Sequence, residues 1–206
     1  MAINLLAILF IKGRSKKEMH IRHSIKYNKP IKIIHPGEYY VSCENELIGT
    51  LLGSCVAVCI FDPVTGIAGM NHFMLPGRIS SSDIFADRSA RYGITAINEL
   101  IAAMEKKGGV KSHFTSKIFG GGHMIKTEKK TTTIPLDNIR LARVMMEMED
   151  IPIETEDVGA HYTRKLLMDA HNGKVFLKKT TREDVLNTVT EREKEFVKRK
   201  YRNENY

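Results

Sequence analysis

Residues 51–76 read LLGSCVAVCIFDPVTGIAGMNHFMLP. The run Val56 to Phe61 is six apolar residues long, the length of a buried strand and too short for a helix. Asp62-Pro63-Val64-Thr65-Gly66 carries turn chemistry: an Asp that bonds its own backbone, a Pro that sets φ and a Gly that relaxes it. The chain then returns through a second apolar run, Ile67 to Leu75. The stretch is therefore a β-hairpin, preceded by a Gly53-Ser54-Cys55 turn. With Asp62 to Thr65 as its loop, Phe61 opposes Gly66 and Cys55 opposes His72. Directly opposed side chains share a face, with Cβ atoms about 4.5–5.5 Å apart. A one-residue slip would put the two on different faces.

A cysteine beside a histidine has a chemical use. An adjacent imidazolium lowers the thiol pKa and supplies a thiolate nucleophile. Backbone N–H groups near Gly53-Ser54-Cys55 are candidate oxyanion donors, and the histidine protonates the leaving group. Gly53 lets a substrate approach the backbone closely. The competing reading makes Cys55 a small core hydrophobe and His72 an ordinary core or surface histidine. Cys59 shares the strand face of Cys55 and reads as such a core residue.

Working outward, Glu38 to Ser42 is strand-like, and Leu47 to Leu52 leads into the Gly-Ser-Cys turn. Tyr92 to Lys107 is a helix, with Ile94, Ile97, Leu100, Ile101 and Met104 at helical spacing and Gly108-Gly109 as its stop. Phe114 to Phe119 is a strand ending in Gly120-Gly121-Gly122-His123. Leu136 to Glu149 is a second helix. Ile151 to Ile153 and Lys174 to Lys178 read as strands, and Glu183 to Arg202 as a charged helix that projects as an appendage. Arg78 to Arg91 reads as polar, with Ser80-Ser81-Ser82 as a surface loop.

A chain of 206 residues suits one domain with a real core. Its three cysteines, Cys43, Cys55 and Cys59, argue for a reducing compartment over a disulfide framework. The net charge of +8 belongs to the arms. Residues 1–36 hold eight Lys/Arg and one acid, and residues 178–206 hold nine and six. Residues 37–177 hold fifteen against seventeen, so no nucleic-acid-binding face is expected on the body. The apolar run Ala2 to Ile11 is too short to span a bilayer and lacks the flanks of a signal peptide. With Lys12, Arg14, Lys16 and Lys17 after it, it offers a weak contact with an anionic membrane surface, against the simpler reading of an added strand or arm. With no convincing localisation signal, the expected compartment is the cytoplasm. His113 and His123, and likewise His161 and His171, lack metal-ligand spacing, and no CxxC or HExxH occurs. Gly120-Gly121-Gly122 has no GKS/T sequel and reads as a tight turn near the site.

The quoted stretch resembles the signature segment of the CheD family, the chemoreceptor glutamine deamidases of bacterial chemotaxis. PGEYYV, residues 36–41, resembles the family's opening strand, and IFGGGHM, residues 118–124, its Gly-Gly strand end. IPIETEDVGAHYTRKLLMDAHNGKVFLKK, residues 151–179, resembles its closing IP…EDxGG…RK…TGxV segment. The resemblance covers residues 35–179, which implies a basic extension over 1–34, a deamidase domain over 35–179 and a charged helical extension over 180–206. The fold implied is a single α/β (α+β) domain, a layered α-β-β sandwich of mixed β-structure with two main helices. The activity implied is cysteine-dependent hydrolysis of receptor glutamine amides through a thioester, without a cofactor or a metal. By motif position Cys55 matches the family nucleophile and His72 its histidine. Thr50 is the candidate for the family's third catalytic member, a threonine upstream of the cysteine, against the reading of a plain strand residue. Methyl-accepting chemoreceptors are the implied substrate and a CheC-type phosphatase a candidate partner. The alternative class is a non-catalytic chemotaxis adaptor or phosphatase regulator, which would not need Cys55. The sequence departs from the family at Val158-Gly159-Ala160, where EDxGG loses its last glycine. It departs again at Ile134-Pro135-Leu136-Asp137-Asn138, where IGxRN loses its glycine and arginine.

Overall fold

The computed structural model describes residues 20–75, 77–79, 84–123 and 133–203. The apolar run Ala2 to Ile11 and its following lysines lie outside these residues, as does Ser80-Ser81-Ser82. In chain order the elements are β1 His20–Ser24, β2 Lys29–Ile33, β3 Glu38–Ser42, β4 Leu47–Leu52, β5 Val56–Asp62 and β6 Ile67–His72. They continue with α1 Arg88–Lys106, β7 Thr115–Gly120, α2 Ile134–Met148, β8 Ile153–Val158, β9 Thr163–Asp169, β10 Val175–Thr180 and α3 Glu183–Asn203. The strands form two mixed sheets, ordered β1-β2-β4-β9-β10 and β3-β6-β5-β7-β8.

The alternation along β5 builds the layers. Val56, Val58 and Ile60 point to one side, where they pack with Ile97, Leu100 and Met104 of α1 and Leu141, Met145 and Met146 of α2. Cys55, Ala57 and Cys59 point to the other side, where they meet Ile48 and Leu52 of β4 and Leu166 and Met168 of β9. Successive strand side chains face opposite sheet surfaces, so one strand serves two cores. The result is helices, sheet, sheet: the expected α-β-β order in an α+β domain. Each fully buried Val, Leu or Ile in these layers contributes about 1.5–3 kcal/mol.

Several elements differ from the sequence reading. α1 begins at Arg88, a turn before Tyr92, because the Asp87 carboxylate caps it by accepting from Ser89 N and Ala90 N at 2.8 and 3.1 Å. Residues 20–33, assigned from the sequence to an extension, form β1 and β2, and β2 adds parallel to β4. The charged C-terminal helix α3 does not project: Val189, Glu193 and Phe196, one face of it, are buried against the domain. Gly37 is what permits that docking, since it takes φ +83 and a Cβ on it would lie 2.6 Å from the Phe196 ring.

Candidate active site

The hairpin forms, with a register different from the one expected. Asp62 pairs with Ile67, Phe61 with Ala68 and Cys59 with Met70, and a bridge joins Val56 to Phe73. The loop is thus Pro63 to Gly66. The Asp62 carboxylate draws the turn in by accepting from Val64 N and Thr65 N at 2.9 and 3.1 Å, and Gly66 N closes it on Asp62 O. The whole ladder is shifted by two residues, so Cys55 lies across from Met74, and His72 across from Ala57. A shift of two preserves the face. Continued one residue past the Val56–Phe73 bridge, the same register sets Cys55 and His72 diagonally on the surface that faces the other sheet, about 7–8 Å apart at Cα.

That other sheet supplies the third residue. Thr50 follows Ile48 and precedes Leu52 on the inner face of β4, and it is buried. Its hydroxyl donates to Ile34 O at 2.9 Å, and its Oγ1 lies 2.8 Å from His72 Nδ1. With the hydroxyl proton spent on a carbonyl, Oγ1 accepts the Nδ1–H of the ring. His72 therefore carries its proton on Nδ1 and a bare lone pair on Nε2. That Nε2 is buried and has no hydrogen-bond partner among the described residues. Burial, with help from His35 and Arg192, pushes the His72 pKa down to about 3. Burial also pushes the Cys55 thiol well above its usual range, and the Glu193 carboxylate adds to this. Both shifts run against the thiolate–imidazolium pair expected from the sequence, because desolvation penalises both charged forms.

The Gly53-Ser54-Cys55 turn is held from three directions. From β7 and the glycines after it, Gly121 N donates to Cys55 O and Gly122 N to Gly53 O, both at 2.7 Å. Gly120 has φ +116, and a Cβ there would lie 2.1 Å from Cys55 O, so the approach admits only glycine. From α2, the fully buried Asn138 donates to Ser54 O at 3.0 Å and accepts from Leu75 N at 2.9 Å, which ties the Gly-Ser-Cys turn to the segment just after β6. From α3, Glu193 Oε1 accepts from Ser54 N and Cys55 N at 2.9 and 3.2 Å, while Oε2 accepts from Ser54 Oγ at 2.5 Å. A cavity of about 480 Å³ opens beside Thr50 and His72 and runs under α3.

Asn138 and Glu193 were not singled out by the sequence. Asn138 had a signal: a polar residue on the apolar face that also carries Ile139, Leu141, Ala142 and Met145. Glu193 had none, as one acid among the many charges of α3. Cys59 is buried in the inter-sheet core, its thiol pushed up to about 12 by burial, and Cys43 is exposed. Among the described residues no three potential metal-ligating side chains converge, and no helix is long and apolar enough to cross a membrane.

Comparison with known proteins places these residues in context. The family model described as CheD chemotactic sensory transduction matches residues 74–179. A probable chemoreceptor glutamine deamidase CheD of Hahella chejuensis is 43% identical over 168 residues, 80% of this chain and 76% of that protein. A protein of the same description from Janthinobacterium is 39% identical over 166 residues, 81% of each chain. Another from Laribacter hongkongensis is 37% identical over 184 residues, 89% of this chain and 87% of its own. An alignment spanning 80% of a 206-residue chain takes in residues 50 to 72 wherever it begins.

Proposed function

The chain belongs to the CheD family, and from that premise we infer that it is a chemoreceptor glutamine deamidase, a protein-glutamine glutaminase of chemotaxis signalling. Its substrates are glutamine side chains of methyl-accepting chemoreceptors. We propose that Cys55 is the nucleophile, His72 the general base and acid, and Thr50 the residue that orients His72. The observation that carries this reading is the 2.8 Å contact between Thr50 Oγ1 and His72 Nδ1, which leaves Nε2 bare on the face it shares with Cys55.

As the substrate carboxamide enters, Nε2 takes the thiol proton and Sγ bonds to the amide carbon. The Ser54 and Cys55 N–H groups receive the negative charge that develops on the amide oxygen. Imidazolium then gives its proton to the nitrogen, the C–N bond breaks, ammonia leaves and a thioester remains. Water loses a proton to Nε2, attacks the thioester carbon, and releases glutamate as the thiol is reformed. No step calls for a cofactor. The new carboxylate changes the charge of the receptor helix bundle and so shifts its balance between signalling states.

The deciding experiment measures ammonia release and a +1 Da mass change per site on a purified chemoreceptor cytoplasmic fragment. Wild type acts, while folded Cys55→Ala and His72→Ala chains do not; activity surviving Cys55→Ala would end the mechanism. The reading places the enzyme in the cytoplasm with its substrate, and takes a CheC-type phosphatase as a binding partner, to be tested by co-purification. Weak anionic-surface contact through the N-terminal arm predicts salt-sensitive vesicle pelleting that is lost when Lys12, Arg14, Lys16 and Lys17 become Gln.

A further inference from the structure

Three observations meet on α3. The helix is polar over most of its surface, yet it lays Val189, Glu193 and Phe196 against the domain. Phe196 packs with Tyr92 of α1, ring centroids 5.8 Å apart, over the bare backbone of Gly37. Between these apolar anchors, the carboxylate of Glu193 fills the donor set of the nucleophile turn: Ser54 N, Cys55 N and Ser54 Oγ. A carboxylate is an expensive group to bury without strong partners. Here it takes two backbone N–H donors and a hydroxyl next to the reacting sulfur.

Glutamate is also what the deamidation produces. The substrate glutamine, carried on a receptor helix, must place its amide oxygen on N–H groups at this turn while its carbon faces Cys55. Glu193 is a glutamate side chain carried on a helix, with one oxygen on those N–H groups. We propose that α3 is a tethered product analogue: it docks as a substrate helix docks, its Glu193 occupies the acyl subsite formed by Ser54 and Cys55, and a receptor helix must displace it for turnover. This rests on the deamidase reading for the identity of the product, while occupancy of the subsite stands on the contacts alone. The tether supplies the competing carboxylate at an effective concentration in the millimolar range, against which free receptor must compete. The same contact adds to the burial that raises the thiol pKa, since Glu193 sets a negative charge where a thiolate would form.

The test uses the full chain and the thiols it already has. Iodoacetamide labelling is followed at each cysteine by peptide mass spectrometry in wild type, Glu193→Ala and Phe196→Ala. Exposed Cys43 is the control for reagent, and buried Cys59 the control for fold. The expected result is labelling of Cys55 at least ten-fold faster in both variants, with Cys43 and Cys59 unchanged. Equal Cys55 rates in wild type and both variants overturn the proposal, as does acceleration only in step with Cys59.

A third chain, Glu193→Gln, tests the product analogy. Its side chain is isosteric and presents the substrate amide, so one water is consumed and one ammonia released per chain. The peptide holding residue 193 then gains 1 Da, and Cys55→Ala in the same chain abolishes the gain. Faster labelling in Glu193→Ala without this conversion overturns the product-analogue assignment. Failure of the deamidase reading itself looks different: receptor fragments stay unmodified by every chain while the labelling contrast persists.

Discussion

α2 and α3 each send one polar side chain to the Ser54–Cys55 turn, and the two contacts differ in kind. Asn138 of α2 comes from inside the helix-facing core, gripping a carbonyl on one strand end and an N–H on another. Glu193 of α3 comes from the opposite side and takes the N–H groups that chemistry would use. The first contact builds the site and the second fills it. Burial alone does not separate them, because both side chains are buried. What separates them is which atoms they engage: Asn138 engages groups with no part in the proposed mechanism, and Glu193 the N–H groups to which that mechanism assigns the developing charge.

Removing each side chain should therefore move activity in opposite directions. Asn138→Ala strands the buried Leu75 N–H and the part-buried Ser54 carbonyl. An unmet buried polar group costs about 1–3 kcal/mol, and we expect a loss of that order in denaturant midpoint analysis, together with reduced turnover. Glu193→Ala should lower stability by less and raise deamidation at limiting receptor. A parallel fall in both variants would erase the distinction.

Thr50 belongs with Asn138 as a builder. Thr50→Val keeps the shape and removes the acceptor for Nδ1–H, so kcat/KM should fall on the order of a hundred-fold, the usual scale for losing an oriented general base. Thr50→Ser should recover most of it in the same assay. If Val and Ser behave alike, Thr50 is only a strand residue.

The buried histidine supplies a smaller effect with a definite sign. Unfolded, His72 binds its proton near pH 6.5, whereas in the fold it does so only near about 3. Between those values the unfolded chain holds the proton and the native one does not, so stability falls as pH drops below 6.5. From pH 7 to 5 the loss from this group is about 2 kcal/mol at most. His72→Gln should flatten that slope in urea melts, and an unchanged slope would assign it elsewhere.

The smallest expected effect lies away from both helices. Ala160 sits at φ +63, where the family's pattern has glycine, and a side chain in that region is strained. Ala160→Gly should gain roughly 0.5 kcal/mol once the added freedom of the unfolded chain is subtracted. It should leave Cys55 labelling unchanged.

Much of this was readable in the residues. The hairpin followed from Val56–Phe61, Asp62-Pro63 and Gly66, and the resemblance pointed to Cys55, His72 and Thr50. The register escaped by two because Asp62 both ends the strand and caps the turn, and sequence does not say which comes first. β9 was missed because Arg164 and Lys165 interrupt its apolar pattern; in the fold Arg164 is fully buried, paired with Asp157 at 2.7 Å and donating to Gly159 O. α3 was correctly bounded to within a residue of its end, yet its docking was invisible. Val189 and Phe196 are too few to mark an apolar face among so many charges, and the space made by Gly37 lies far away in the chain. The ionisation of the site was likewise hidden, since a cysteine and a histidine side by side suggest an ion pair until their burial is known.

β10 ends at Thr180 and α3 begins at Glu183, so only Thr181 and Arg182 join them. Because this link keeps α3 covalently attached, undocking is a first-order event whose rate belongs to the chain and not to its concentration, and a link that short favours rapid redocking. If a receptor helix must displace α3, as proposed, turnover at abundant receptor levels off at the rate at which α3 lets go. The plateau would time a door and not the breaking of an amide, and labelling the amide nitrogen with a heavy isotope would leave it unmoved.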